Sequence, residues 1–186
     1  ARTGWVALLD IVDFLGLGEE RLAVVAEFRA YAHRVVGAIK EAFCLPVGFD
    51  GIALCLPATL SATAVLDLLA EGVREGFAGA FHGKAVHLAS GLAQVAPAQV
   101  GSAGSDRTAI EAYLLTTIRS PNPPSVFMTA RSSASLDTAR ERLTEDGVLG
   151  ERSSRAPRIK GDPGMNSATV YRFDIDLGPL STLPAG

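Results

Sequence analysis

Two aspartates stand where a pair of carboxylates could do chemistry together. Asp10 follows an apolar run at residues 5 to 9, and Asp50 lies in a turn with Gly48 and Gly51. If that run and that turn lie side by side in the fold, both carboxylates reach one point in space. Two oxygen ligands of this kind suit Mg²⁺ or Mn²⁺, with waters and substrate phosphates completing the coordination. The spacing leaves a simpler alternative open, because Asp commonly favours a turn or the end of a strand for purely local reasons.

The elements that must position these aspartates can be predicted from periodicity. The nearly continuous apolar run at residues 5 to 12 predicts a central strand that is covered on both faces. Apolar residues from Leu22 to Phe43 recur at three- and four-residue spacings, which predicts one long helix. Two strands are then expected around the turn at residues 48 to 51. Thr59 or Ser61 is the expected N-cap of the next helix.

The second half of the chain continues the alternation of strands and helices. A strand is expected at residues 86 to 95, and a helix from Thr108 to Ile118 with Ile110, Leu114, Leu115 and Ile118 facing inward. The prolines at 121, 123 and 124 end that helix, because proline lacks the amide donor. The remaining expected elements are a strand at 126–128, a helix at 135–143, a polar stretch and a last strand at 168–173. This pattern predicts a single-domain α/β sandwich with a mixed sheet.

Composition narrows the classes of partner. The chain has 186 residues, 48% of them hydrophobic, and a net charge of -3, so it gives no reason to expect a nucleic-acid partner. No apolar run reaches the ~20 residues that span a bilayer. Asp10 and Asp13 interrupt the first apolar stretch, so we expect no signal peptide and a cytoplasmic location. Cys44 and Cys55 either face each other across the hairpin or are two buried thiols.

Two segments resemble the metal motifs of class III adenylyl and guanylyl cyclases. Residues 8 to 14, LLDIVDF, are similar to the first motif, and residues 45 to 54, LPVGFDGIAL, resemble the second, a Gly-Asp-Gly hairpin before an apolar strand. The Leu45-Pro46 pair is especially similar to the cyclases of bacterial Pycsar antiphage systems. Residues 158–161 and 170–173 resemble the family's closing hairpin. The resemblance covers about residues 5 to 175.

The resemblance implies a fold with a ferredoxin-like core, and it also implies a substrate, a cofactor and a partner. The expected substrate is a nucleoside triphosphate, the product a 3',5'-cyclic nucleotide, and the cofactor two Mg²⁺ or Mn²⁺ ions at the interface of a head-to-tail homodimer or heterodimer. The residues carried over as metal ligands are Asp10, Asp50 and the backbone of Ile11, with Asp13 as a further candidate. The residues carried over to substrate binding are Phe14, Gly48, Phe49 and Gly51.

Several positions depart from the family pattern. Asp13 replaces a Gly, and Phe49 is inserted before Asp50. The helix residues expected to be a ribose-orienting Asn and a charge-stabilising Arg are Ile110 and Leu114, with Arg107 as the one possible substitute. We therefore predict a degenerate cyclase-homology domain that binds a nucleotide or a partner domain in signalling or antiphage defence, with an effector domain in a longer chain. The alternative is an active cyclase with unconventional catalytic residues or a second chain supplying them.

Overall fold

The computed structural model describes residues 4–95, 102–119, 123–130, 137–156 and 163–179. Its strands are β1 (Gly4–Ile11), β2 (Phe43–Val47), β3 (Gly51–Pro57), β4 (Leu88–Val95), β5 (Ser125–Thr129), β6 (Thr144–Val148) and β7 (Thr169–Asp174). Its longer helices are α1 (Arg21–Gly37), α2 (Ala62–Phe77) and α3 (Ser102–Thr116). Shorter helical segments are the 3-10 helices Phe14–Glu20 and Asp137–Arg142 and the α-helices Leu149–Arg152 and Pro163–Asn166.

The strands form one mixed sheet in the order β2-β3-β1-β4-β5-β7-β6. The β4–β5 pair is parallel, and the other neighbouring strands in the described chain run antiparallel. The first four strands, with α1 and α2 between them, have the order of a split βαβ ferredoxin-like unit. The predicted α/β class with a mixed sheet is therefore confirmed.

One face of the sheet carries the main hydrophobic core. Successive side chains of a strand point to opposite faces, so alternate residues of β1 and β3 share this side. Leu9 and Leu54 pack here against Phe28 of α1 and Leu69 of α2, and all four side chains are buried. Ser61 caps α2, because its Oγ accepts a hydrogen bond from the amide of Ala64 at 3.1 Å, which confirms one of the two predicted caps.

Helix α3 packs on the opposite face of the sheet. Leu8, Ala53 and Ala93 form a small buried cluster there with Ala112 of α3. The helix comes so near to β4 that a Cβ on Gly91 would collide with the backbone carbonyl of Ala112. Only a residue without a side chain permits this close approach of helix and strand.

The part of this face that lies over β2 and β3 is left open as a groove. Its volume is about 1300 Å³. Phe43 and Leu45 of β2 lie along it and are 54% and 52% exposed. Val6, Val47, Ala53, Cys55, Val95 and Ala109 also line it. The protein thus presents a largely apolar, half-covered sheet face.

Several predicted boundaries were wrong. The helical pattern reaches Phe43, but α1 ends at Gly37 and Phe43 begins β2. Helix α3 begins at Ser102 rather than Thr108, so Arg107 lies inside the helix. Ile110 faces outward and is 38% exposed, because α3 covers only part of the sheet.

Further differences concern the hairpin cysteines and the end of the chain. Cys44 pairs with Leu54 and Cys55 pairs with Phe43, so the two half-buried, free thiols point to opposite faces. Strand β6 was not predicted. The described part of the helix expected at 135–143 is a 3-10 segment from Asp137. The hairpin residues 158–161 lie outside the described residues.

No helix among the described residues is both long and apolar enough to cross a membrane.

Candidate functional site

The structure brings Asp10 and Asp50 together at one end of the sheet. Asp10 is opposite Gly51 in the β1–β3 register, and the amide of Ile11 donates a hydrogen bond to the carbonyl of Asp50 at 2.9 Å. Gly51 makes room for this arrangement, because a Cβ at that position would lie 3.1 Å from Oδ1 of Asp10 and 2.8 Å from the carbonyl of Val47. The two motifs are therefore adjacent across a strand pair.

The pair of carboxylates is electrostatically strained. Burial, followed by the charge of Asp50 and a side-chain hydrogen bond to it, raises the pKa of Asp10 from 3.8 to about 7. The positive charge of Arg119 acts in the opposite direction. Two neighbouring carboxylates repel each other, so the folded protein favours a protonated Asp10 at pH values below about 7. A bound cation relieves the same repulsion.

The β2–β3 turn aims Asp50, and not Phe49, at Asp10. Gly48 has a φ of 63°, a backbone conformation that glycine adopts without a steric penalty. Arg29 of α1 holds the turn from outside: its Nη2 donates to the carbonyl of Phe49 at 3.2 Å and to that of Gly48 at 3.5 Å. The Phe49 side chain is 78% exposed.

Asp13 and Phe14, which follow β1, are positioned differently from the pair. Asp13 adopts φ 55° and ψ 51°, the left-handed conformation that favours Gly and that Asp tolerates better than most residues. The position where the family has Gly thus keeps a glycine-like backbone. The Asp13 carboxylate folds over Gly16, where an added Cβ would collide with it. Phe14 packs partly buried against the main core.

The two α3 residues that the sequence comparison aligned with Asn and Arg, Ile110 and Leu114, have apolar side chains. Leu114 is 1% exposed and packs with Leu115, Ile118 and Phe127 in a second apolar cluster. Ile110 is half-exposed on the outer side of the helix. Arg107 is half-buried in the middle part of α3 rather than at its tip.

Sequence reasoning did not identify Arg119 as a residue near the site. Arg119 follows α3, is exposed, and donates from Nη1 to the carbonyl of Thr116 at 3.2 Å. Burial lowers the pKa of His87, and the charge of Arg119 lowers it further. The carbonyl of His87 accepts the amide of Val12 at 2.9 Å, so His87 lies beside the end of β1. The available signal was a cation shortly after a helix, which is also a common way to complement the helix dipole.

The donor set fits a divalent cation held partly by a ligand. Among the described residues, no group of three or more His, Cys, Asp or Glu side chains comes together in a way that could hold a metal ion. The protein therefore offers two carboxylates, and backbone, water or phosphate oxygens must complete the shell. This is the usual manner in which Mg²⁺ binds with nucleotides.

Comparison with known proteins places this geometry in a structural class. No family model matches the sequence, and no curated protein sequence matches it. The guanylate cyclase domain of RhGC from Catenaria anguillulae, solved with GTP, is 10% identical, with a TM-score of 0.61 over 94% of this chain and 97% of the other. The guanylyl cyclase Cya2 is 15% identical, with a TM-score of 0.53 over 100% and 98%.

A GGDEF domain is similar over a smaller part of this chain. The GGDEF domain of DgcB from Caulobacter crescentus, in complex with c-di-GMP, is 21% identical, with a TM-score of 0.50 over 61% of this chain and 68% of that domain. At these identities the likeness concerns the fold alone. This chain has the fold of class III nucleotidyl cyclase catalytic domains.

Proposed function

We propose that this chain is a cyclase-homology domain that binds a metal–nucleotide complex through Asp10 and Asp50 and acts as a nucleotide-binding or regulatory dimerisation module. The observation that carries the proposal is the meeting of these two carboxylates across the β1–β3 pair, with the Asp10 pKa raised to about 7. Such a pair favours a cation, and a cation held by two carboxylates has room for phosphate oxygens. The ligand class is a nucleoside triphosphate or a cyclic nucleotide.

Asp10, Asp50 and the carbonyl of Ile11 are the groups that would hold Mg²⁺ or Mn²⁺. The metal would supply charge neutralisation, which lets a polyphosphate approach an acidic pair. The protein's own contribution is orientation: Gly51 lets the Asp10 carboxylate lie against the turn, and Arg29 fixes the carbonyls that precede Asp50. Asp13 is not assigned to the metal here, since its carboxylate is folded over Gly16.

Weak or absent catalysis follows from α3. A cyclisation needs groups that orient the ribose and stabilise charge on the phosphate as pyrophosphate leaves. Ile110 and Leu114 have no hydrogen-bonding side chain, and Leu114 is enclosed in an apolar cluster. Loss of one preorganised charge-stabilising group typically costs about 10²–10³ in rate, so two such losses leave little turnover.

The open sheet face is the proposed contact with a second copy of the chain. Phe43 and Leu45 are about half exposed along the groove, on the strand that leads into the turn carrying Asp50. Large apolar side chains gathered on one exposed face mark an interaction surface. The proposed occupant is a second copy, because the resemblance to cyclases implies a head-to-tail dimer. A heterodimeric partner and an effector domain in a longer chain are compatible with the same surface.

An active cyclase is the second candidate, and the retained carboxylate pair is the observation that favours it. In that case a partner chain supplies the groups missing at Ile110 and Leu114. The deciding experiment incubates the protein with ATP, GTP, CTP and UTP in Mn²⁺ and searches for cyclic mononucleotides by mass spectrometry. We expect no product above the Asp10→Asn control. A cyclic product that disappears in that control establishes the enzyme and overturns the degenerate module.

A further inference from the structure

Helix α3 runs along β1 and β4 toward the acidic pair. Near the middle of the helix, Ala109 lies at the groove, which reaches Gly4 and Val95 at the far end of the strands. One turn later, Ala112 packs on Leu8 and over Gly91, which are register partners in the middle of the strands. The next strand, β5, begins at Ser125 and pairs with β4 so that Val126 is opposite Ser90, which itself pairs with Leu9. The chain that follows α3 therefore returns to the Asp10 end of the sheet.

Arg119 is a cation at that end. Asp10 pairs with Ala89, which shares the α3 face with Gly91, so its carboxylate projects on the side of the sheet where α3 ends. The charge of Arg119 lowers the pKa of both Asp10 and His87, which is consistent with its standing near both groups.

Most N–H donors of the Arg119 guanidinium form no hydrogen bond to the described residues. It gives one hydrogen bond to the carbonyl of Thr116 and, among the described residues, forms no ion pair with a carboxylate. An arginine has five N–H donors in a planar fork that matches phosphate geometry. Arg119 is therefore exposed and held by one guanidinium hydrogen bond, and it forms no ion pair with the nearby acidic residues among the described residues.

We propose that Arg119 binds a phosphate of the nucleotide whose metal ion is held by Asp10 and Asp50 of the same chain. This inference rests on the proposed function. It assigns a phosphate-binding arginine that is supplied within one subunit, at a place distinct from the lost position at Leu114. The metal ion and the guanidinium would then both bind the polyphosphate, as in other phosphate sites that combine a cation with an arginine.

The test separates phosphate binding from helix capping. Inorganic triphosphate in Mg²⁺, and Mn²⁺ alone, are titrated by calorimetry into the wild type, Arg119→Ala, Arg119→Lys and Arg34→Ala. Arg34 is the matched control because it is an exposed arginine in the last turn of α1. The chain after α1 leads to Phe43, and Phe43 pairs with Cys55, which pairs with Val6 of β1. Arg34 therefore lies toward the end of β1 that is opposite to Asp10.

We expect Arg119→Ala to weaken triphosphate binding by roughly 10- to 100-fold, the usual effect of a lost charged hydrogen-bonding group. Mn²⁺ binding is expected to stay unchanged or become tighter, and Arg119→Lys should retain part of the affinity. Arg34→Ala should match the wild type. Circular dichroism confirms that each variant is folded.

Two other results are informative in different ways. If Arg119→Ala binds triphosphate like the wild type while Asp10→Asn does not, Arg119 only caps α3 and this inference is wrong. If the wild type binds neither triphosphate nor nucleotide, the proposed function itself fails along with it. A mixture of Arg119→Ala and Asp10→Asn subunits should show no recovery of tight sites. Recovery would assign Arg119 to the partner's site and contradict the same-chain arrangement.

Discussion

Asp10 and Asp50 are forty residues apart in the sequence and adjacent in the fold, with the amide of Ile11 bonded to the carbonyl of Asp50 at 2.9 Å. The contact depends on a strand register and on a turn that has no side chain at Gly51. It concentrates negative charge at one end of an otherwise apolar strand. The folded protein therefore carries an internal repulsion that a proton, a metal ion or a neutral substitution relieves.

The first prediction concerns the pH dependence of stability. The pKa of Asp10 is raised from 3.8 to about 7, so between these values the folded state holds a proton that the unfolded state has lost. Stability is therefore expected to fall as pH rises from about 4 to 7. Asp10→Asn removes this penalty, so its melting temperature should exceed that of the wild type by more at pH 8 than at pH 4.5, without divalent cations.

Asp13→Asn is the control for this comparison, because Asp13 is an exposed carboxylate three positions away whose backbone conformation Asn also tolerates. The melting temperature of this variant at each pH value is the baseline for that of Asp10→Asn. An Asp10→Asn effect that is independent of pH would show that the pKa of Asp10 is not raised in the folded protein.

The second prediction concerns Arg29, which bonds to the carbonyls of Phe49 and Gly48. Arg29→Ala should lower the free energy of unfolding by about 1 kcal/mol, the typical value of such a hydrogen bond. It should also weaken Mn²⁺ binding several-fold, because the turn that aims Asp50 becomes less fixed. Urea unfolding and calorimetry measure the two effects.

Arg34→Ala, on the same helix, should change neither quantity. If Arg29→Ala destabilises the protein and leaves Mn²⁺ affinity at the wild-type value, Arg29 supports the fold but does not position Asp50.

The third prediction concerns the lost arginine position. Leu114 is 1% exposed among Leu115, Ile118 and Phe127, so Leu114→Ala should destabilise the protein by about 2–5 kcal/mol. Leu114→Arg should destabilise it further, since it buries an unpaired charge. Ile110→Asn, at a 38% exposed site, should cost less than about 1 kcal/mol.

Urea unfolding of the three variants measures these differences. A stable Leu114→Arg protein would mean that this position still opens toward a site, contrary to its place in the core.

The fourth prediction concerns the apolar groove. Phe43→Glu or Leu45→Glu should dissociate the dimer, because each places a charge in the proposed apolar contact with a second copy. Analytical ultracentrifugation over a range of concentrations measures the change in mass. Leu22→Glu is the matched control, since Leu22 is 70% exposed on α1, outside the groove. Equal mass distributions in all the variants would remove the groove from the dimer contact.

Local sequence patterns predicted a large part of the fold. The apolar run of β1, the glycines of the β2–β3 turn and the cap at Ser61 are signals contained within a few residues.

The remainder depended on tertiary contacts that no local pattern reveals. Ile110 is exposed because α3 covers only one part of the sheet, and β6 is an edge strand whose mostly exposed, polar residues give no apolar alternation. Arg29 contacts the turn before Asp50 through its long side chain, and the direction of α3 brings Arg119 toward Asp10. Neither arginine therefore lies at a recognisable sequence spacing from Asp10. The helical spacing that extends to Phe43 was misleading, since an exposed apolar residue on β2 satisfies the same period.

Equilibrium binding measurements are the sharpest test of metal-dependent nucleotide binding at Asp10 and Asp50. ATP and GTP are titrated by calorimetry into the wild type, Asp10→Asn and Asp50→Asn, each with Mn²⁺ and with a chelator. We expect at least one nucleotide to bind the wild type only with Mn²⁺, and we expect either substitution to abolish this binding. Binding that is unaffected by the chelator or by both substitutions, or no binding of either nucleotide to the wild type, would contradict this expectation.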